Sequence, residues 1–216
     1  DDTITCTATA TDSDGGSDSD SDSVTVGNSA PEVTSVSVIP STGVTSSTTL
    51  TCTATASDDD GDTPVLSYVW TNDDLGDVLG TGTTVDLDPA YAQPGETISC
   101  TATATDDDGG TDSGSDSVTV GNTAPVITSV SITPSTGVTT ATTLTCSATA
   151  EDEDGDSPTL SYAWANATDG TSIGTGASLT LSTATSSPDD TITCTATATD
   201  ADGGTDSGSA SVTVDN

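Results

Sequence analysis

Cys6, Cys100 and Cys194 stand 94 residues apart, and Cys52 with Cys146, Tyr68 with Tyr162 and Trp70 with Trp164 repeat the same offset. A constant period without insertions means that one structural unit is copied along the chain. The segment VGNSAP from Val26 to Pro31 returns as VGNTAP from Val120 to Pro125. Residues 29–122 and 123–216 are therefore two complete repeats, and residues 1–28 match the final third of a preceding one. The perfect register reads as an arbitrary cut through a longer array. The expectation is that sequence upstream in the same chain completes the partial repeat, in preference to strand addition from another subunit.

Within each repeat the apolar period is two. Leu50, Cys52, Ala54 and Ala56 alternate with Thr49, Thr51, Thr53 and Thr55, and Ile98, Cys100, Ala102 and Ala104 alternate with Thr97, Ser99, Thr101 and Thr103. Such alternation marks strands with one buried face. Val36 and Val38, then Leu66, Tyr68 and Trp70, then Val85 and Leu87, then Val118 and Val120 mark further strands between Gly, Pro, Asp and Ser turns. About seven short strands per 94-residue repeat, with Cys, Trp and Cys on the second, third and sixth, predict an all-β chain of tandem immunoglobulin-like β-sandwiches.

Composition then limits function. The chain has no Lys, Arg or His against 35 acidic residues, a formal charge of −35. Nucleic-acid binding needs cations that displace counterions, and phosphate recognition normally uses Arg or Lys. Without His, the usual Ser-His-Asp, Cys-His and His-ligated zinc sites cannot form. Carboxylate chemistry remains, but a glycosidase needs sugar-stacking aromatics around its two acids. The strand period assigns the few aromatics here to the core. No apolar run is long enough to span a membrane.

Five cysteines make two pairs within the complete repeats and leave Cys6 over. The inward parity shared with Leu50 and Ile98 predicts Cys52 bonded to Cys100 and Cys146 bonded to Cys194. Free buried cysteines packing as small hydrophobes are the alternative. Disulfides imply an oxidising, extracellular or cell-surface location.

Acidic clusters recur with the repeat. Asp58, Asp59, Asp60 and Asp62 lie between the second and third strands, and Asp106, Asp107, Asp108 and Asp112 between the sixth and seventh. In the second complete repeat Glu151, Asp152, Glu153, Asp154 and Asp156 accompany Asp200, Asp202 and Asp206. In an immunoglobulin-like sandwich the two loops share one pole, where crowded carboxylates without basic partners suit calcium, a cation of six to eight oxygen ligands. Solvated Asp-Gly turns are the plainer alternative.

The stretch ATASDDDGDTPVLSYVWTNDDLG resembles the centre of a polycystic-kidney-disease (PKD) repeat, with its Asp-rich turn before a Tyr-x-Trp strand. TATATDDDGGTDSGSDSVTVGNTAP resembles the end of PKD-type and related bacterial or archaeal immunoglobulin-like repeats, although TNDDLG replaces the usual aromatic-Gly-Asp-Gly turn. The linker Asn28-Ser29-Ala30-Pro31 is similar to the calcium-holding linkers of cadherins. That resemblance implies Asn28 with Asp58, Asp60 and Asp108, and Asn122 with Glu151 or Asp152, Asp154 and Asp202, as ligands. Asn166-Ala167-Thr168 is a formal glycosylation sequon at Asn166.

These features point to a structural tandem-repeat module of an extracellular filament or adhesin stalk, disulfide-stapled and calcium-rigidified. Its expected partners are further copies of the same repeat, in this chain or in neighbouring subunits. The alternative is a carbohydrate- or protein-binding accessory module of a secreted enzyme, for which the variable stretches Asn72 to Leu79 and Asn166 to Ile173 are the nearest candidates.

Overall fold

A computed structural model describes residues 2–216 and is all-β. Strands β1 (Thr3–Thr11) and β2 (Ser17–Thr25) form a two-stranded hairpin. Seven strands follow in each complete repeat. In the first they are β3 (Glu32–Ile39), β4 (Thr49–Ser57), β5 (Val65–Asn72), β6 (Asp77–Thr81), β7 (Thr84–Asp86), β8 (Thr97–Thr105) and β9 (Thr111–Thr119). The second copies them as β10 (Val126–Thr133), β11 (Thr143–Glu151), β12 (Thr159–Asn166), β13 (Thr171–Thr175), β14 (Ser178–Thr180), β15 (Thr191–Thr199) and β16 (Thr205–Thr213).

Strand order follows from the pairing. One sheet runs β3-β4-β7 and the other β6-β5-β8-β9, with β10-β11-β14 and β13-β12-β15-β16 as their counterparts. All pairs are antiparallel. The fold is thus a tandem immunoglobulin-like sandwich, its two sheets of three and four strands closing over one narrow core.

The alternating residues meet as the period requires. Val38, Leu50, Cys52, Trp70, Ile98, Cys100, Val118 and Val120 fill the first core, and Ile132, Leu144, Cys146, Trp164, Ile192, Cys194, Val212 and Val214 the second. Trp70 is fully buried next to Cys100 on the paired strand. Its indole N–H donates to the Gly82 carbonyl (3.1 Å), as Trp164 does to Gly176 (2.8 Å), so neither buried indole carries an unsatisfied donor. Outside, threonines form a polar coat with cross-strand hydroxyl pairs such as Thr34–Thr55 and Thr128–Thr149, both 2.7 Å.

Cys52–Cys100 and Cys146–Cys194 join the two sheets of each sandwich across Cα separations of 6.4 Å. Cys6 is free and exposed. With sequence separations of 48, each bond closes a loop whose chain-entropy contribution is about 4 kcal/mol, comparable to the whole net stability of a small domain. Alkylation of the native chain is expected to label one thiol, and five after reduction. Replacing Cys52 and Cys100 together by Ala should destabilise the first repeat by about 2–5 kcal/mol in denaturant melts.

Candidate metal centre

The Asp-rich loops of each sandwich do come to one end, and the linker entering that sandwich runs between them. Asp106 is the hub in the first repeat. Its Oδ1 accepts the backbone N–H groups of Asp108 (3.0 Å) and Gly110 (2.7 Å), and its Oδ2 accepts the side-chain amide of Asn28 (3.0 Å). Asp200 repeats this with Asp202, Gly204 and Asn122 at 2.9, 2.7 and 3.0 Å. The second glycine of each Asp-Gly-Gly turn is a requirement of close approach, because a Cβ at Gly110 would collide with Asp106 Oδ2 and come within 3.0 Å of Ala30 Cα.

The facing loop is held in the same manner. Asp58 Oδ1 accepts the Asp60 N–H (2.8 Å), and Asp60 Oδ2 accepts the linker N–H of Ser29 (2.6 Å). In the second repeat Asp152 takes the Asp154 N–H (2.9 Å) and Asp154 the Thr123 N–H (2.6 Å). Asp58 Oδ2 and its counterpart Asp152 Oδ2 are buried with no hydrogen-bond partner, as is Thr123 Oγ1. Buried oxygens are rarely left so, and the same orphan recurs at one position in both repeats.

Charge at this end is unbalanced. Burial, then the neighbouring Asp58, Asp107, Asp108 and Asp106, raise the carboxyl of Asp62 above its ordinary value. Burial also raises Asp152, with the charges of Asp154, Asp200 and Asp156 adding to it and a hydrogen bond from Asp154 opposing. Asp106 and Asp200 go the other way, held low first by the amides of Asn28 and Asn122 and then by their turn N–H groups, against burial. Asp60, Asp62, Asp108 and Asn28 line one acidic cleft together with Asp2.

Two of the expected ligands lie elsewhere. Asp112 and Asp206 spend Oδ2 on the backbone N–H groups of Val33 and Ile127 (both 2.8 Å), capping the free edges of β3 and β10. Asp116, which the sequence reading passed over, does the same for Val38 (2.9 Å); its inward parity on β9 was the available signal. Among the described residues no three carboxylates stand together as a ready-made metal cage. The donors nevertheless fit a hard cation chemically, since carboxylate, amide and hydroxyl oxygens are what calcium takes, and the orphaned Asp58 and Asp152 oxygens lack any other partner.

The sequon at Asn166 is corrected by the structure. Asn166 is fully buried, and its Nδ2 donates to Asp190 Oδ2 (2.7 Å) and the Thr185 carbonyl (3.3 Å). A glycan would replace one of the two hydrogens on that nitrogen and so remove at least one of these bonds, and the side chain is buried away from solvent. Asn72 fills the same role with Glu96 (2.7 Å) and the Tyr91 carbonyl (3.0 Å). The pair Asn72 and Asn166 share the 94-residue offset, which marks a structural asparagine.

The repeats also touch each other. Asp154 is 1% exposed because Ser46 of the preceding repeat covers it and donates to its Oδ1 (2.5 Å). Ser47 donates to Glu153 (2.5 Å), and the Gln93 amide reaches the Asp154 carbonyl (3.3 Å). Ser46, Ser47 and Gln93 had no motif to reveal them.

No family model matches this chain, and no curated protein matches it in sequence. Among solved structures, a tetra-tandem repeat from the extending region of a large adhesion protein is 21% identical over 99% of this chain and 56% of its own, with a TM-score of 0.38. A Ca2+-stabilised adhesin of an Antarctic bacterium is 20% identical over the same shares, also at 0.38. Cadherin domains 3–6 of protocadherin gamma B2 are 15% identical over 98% and 57%, at 0.34. The chain spans just over half the length of these three. The assignment to tandem immunoglobulin-like sandwiches stands on strand order, core and disulfides.

The opposed shifts predict the acid limb. Groups raised in the fold destabilise it at neutral pH, so in the absence of metal the melting temperature should rise as pH falls through their folded values toward 3.8. Below 3.8 it should fall as Asp106 and Asp200 take up protons and the hydrogen bonds donated to them by Asn28 and Asn122 weaken. Replacing Asp62 and Asp152 by Asn should flatten the first arm and leave the second.

Proposed function

We propose that the chain is a rigid spacer: PKD-like immunoglobulin repeats in series, forming part of an extracellular filament or adhesin stalk, with calcium at the linker end of each sandwich. The observation that carries this is Asp154, a carboxylate buried at the joint between repeats. Through it the preceding repeat (Ser46), the linker (Thr123) and the following repeat share one hydrogen-bonded knot. A joint of this kind transmits orientation from one repeat to the next, which suits a stalk and serves no purpose in independent beads. The disulfides fit an oxidising compartment.

Calcium enters through the orphaned oxygens of Asp58 and Asp152 and the crowded carboxyls around them. In this reading Asp58, Asp60, Asp62, Asp106, Asp108 and Asn28 supply the first site. Asp152, Asp154, Asp156, Asp200, Asp202 and Asn122 supply the second, while Asp112 and Asp206 remain structural. Millimolar calcium should raise the melting temperature and chelator should reverse it. Salt should reproduce only part of the gain, because screening acts weakly on charges a few ångströms apart. Asp58→Asn with Asp152→Asn should reduce the calcium response while raising the metal-free melt at neutral pH, where the charged Asp152 carboxyl works against the fold. A melt indifferent to chelator would favour solvated turns.

The joint is tested separately by solution scattering. Asp154→Ala should leave both sandwiches folded and shorten the mean end-to-end distance, since one pivot replaces a fixed angle. Unchanged scattering would remove the rigid-spacer argument.

One observation favours the binding-module reading. Val65, Val69, Leu75 and Val78 are exposed on β5, β6 and their turn, Val78 by 65%, and the second repeat has Thr159, Ala163, Asp169 and Ser172 in their places. Loss of binding to a candidate protein or glycan on replacing Leu75 and Val78 by Ser would support that reading.

A further inference from the structure

The β1–β2 hairpin shows its inner face to solvent, although it is built to be covered. β1 reads TITCTATAT, residue for residue the same as β15. In β15 the inward Ile192, Cys194, Ala196 and Ala198 are fully buried, whereas Ile4, Cys6, Ala8 and Ala10 are exposed. The difference lies in what stands opposite: β15 faces β10 and β11, with Cys146 bonded to Cys194.

β2 also carries the acceptors for an incoming strand. Asp18 and Asp22 sit at the register of Asp112 and Asp116, paired across the hairpin with Ala10 and Cys6 as those are with Ala104 and Cys100. In the first complete repeat these two carboxylates take the free edge amides of Val33 and Val38 on β3.

Between them comes one departure. Residues 1–28 differ from 95–122 at turn, terminal and outward positions, and at a single inward one, where Asp20 replaces Gly114. The second repeat has Gly208 there. A Cβ at Gly114 would lie 3.0 Å from Val36 Cγ2 and 3.1 Å from Val33 Cγ1, and one at Gly208 would lie 3.0 Å from both Ile127 Cγ2 and Val130 Cγ2. The first strand of each sandwich thus packs into the space that glycine leaves. A carboxylate in that place would be driven between two branched apolar side chains with no basic group in the chain to answer it.

We infer that the inner face of the hairpin receives the first strand of a sandwich body unlike either of the two this chain contains. That body has small side chains, Gly, Ala, Ser or Thr, at the positions of Val33 and Val36, and a Cys opposite Cys6. Backbone N–H groups of its edge serve Asp18 and Asp22, and a Ser or Thr hydroxyl serves Asp20. The inference rests on reading residues 1–28 as the end of a sandwich, whichever chain supplies the rest. Asp20 then acts as a selector, rejecting the β3 and β10 strands of a second copy.

The test extends the full chain at its N-terminus with a second copy of residues 29–94, so that Pro94 joins Asp1 in register. Reactive thiols are counted by alkylation and mass without reductant. With Asp20 present and the added body unaltered, two reactive thiols are expected, Cys6 and the added Cys52. With Asp20→Gly, or with V33S and V36S in the added body, none is expected, and the extension should become protease-resistant. If the unaltered extension closes its disulfide as fully as Asp20→Gly, Asp20 selects nothing and the inference is overturned while the sandwich reading stands. Failure of every version, Asp20→Gly included, overturns the sandwich reading and the inference with it.

Discussion

Every carboxylate in this protein must be answered by something other than a positive side chain, because there is none. The fold answers with N–H and O–H donors. Asp106 and Asp200 tie down the linker asparagines, Asp60 and Asp154 the next linker residue, and Asp112, Asp116 and Asp206 the open edges of the first strands. A hydrogen bond to a charged acceptor contributes more than one between neutral groups, so the acids that burden the net charge also join strand to strand and repeat to repeat. Where donors run out, at Asp58 and Asp152, an oxygen is left bare, and burial with neighbouring charge pushes the carboxyls of Asp62 and Asp152 above their ordinary value.

The core depends on this frame. With one Trp and a few aliphatic side chains per sandwich, apolar burial is modest. The disulfide between the sheets and the capped edge of the first strand hold a small interior closed. Gly114 and Gly208 let that strand approach where any larger residue would hold it off. The Thr coat contributes solubility and cross-strand hydroxyl bonds and leaves the acids to do the joining.

Identical sequence does not mean identical environment. Asp60 and Asp154 occupy the same place in their repeats, and each takes a linker amide. Asp154 is buried because a complete repeat stands before it and presents Ser46, while Asp60 remains exposed beside the hairpin. β1 and β15 make the same point with nine identical residues, one strand bare and one covered. A repeat in such an array is completed by its neighbour as well as by itself.

Periodicity and parity were enough to read the sandwich from the sequence. Alternating Thr with Leu, Cys and Ala sets which face is buried, the 94-residue offset sets the unit, and Cys52, Trp70 and Cys100 on inward positions determine the staple, because strand geometry converts parity directly into side. The polar end was legible only as composition. That Asp58, Asp62, Asp106 and Asp108 gather there followed from topology, but which oxygens are used, which are bare and which acids serve strand edges depended on distances of a few ångströms between segments far apart in the chain. Asn166 was misread for that reason: a three-residue motif describes the local chain, while burial against Asp190 and Thr185 is decided by tertiary packing. The joint at Ser46 and Asp154 has no sequence signal at all, since it exists only when two folded repeats meet.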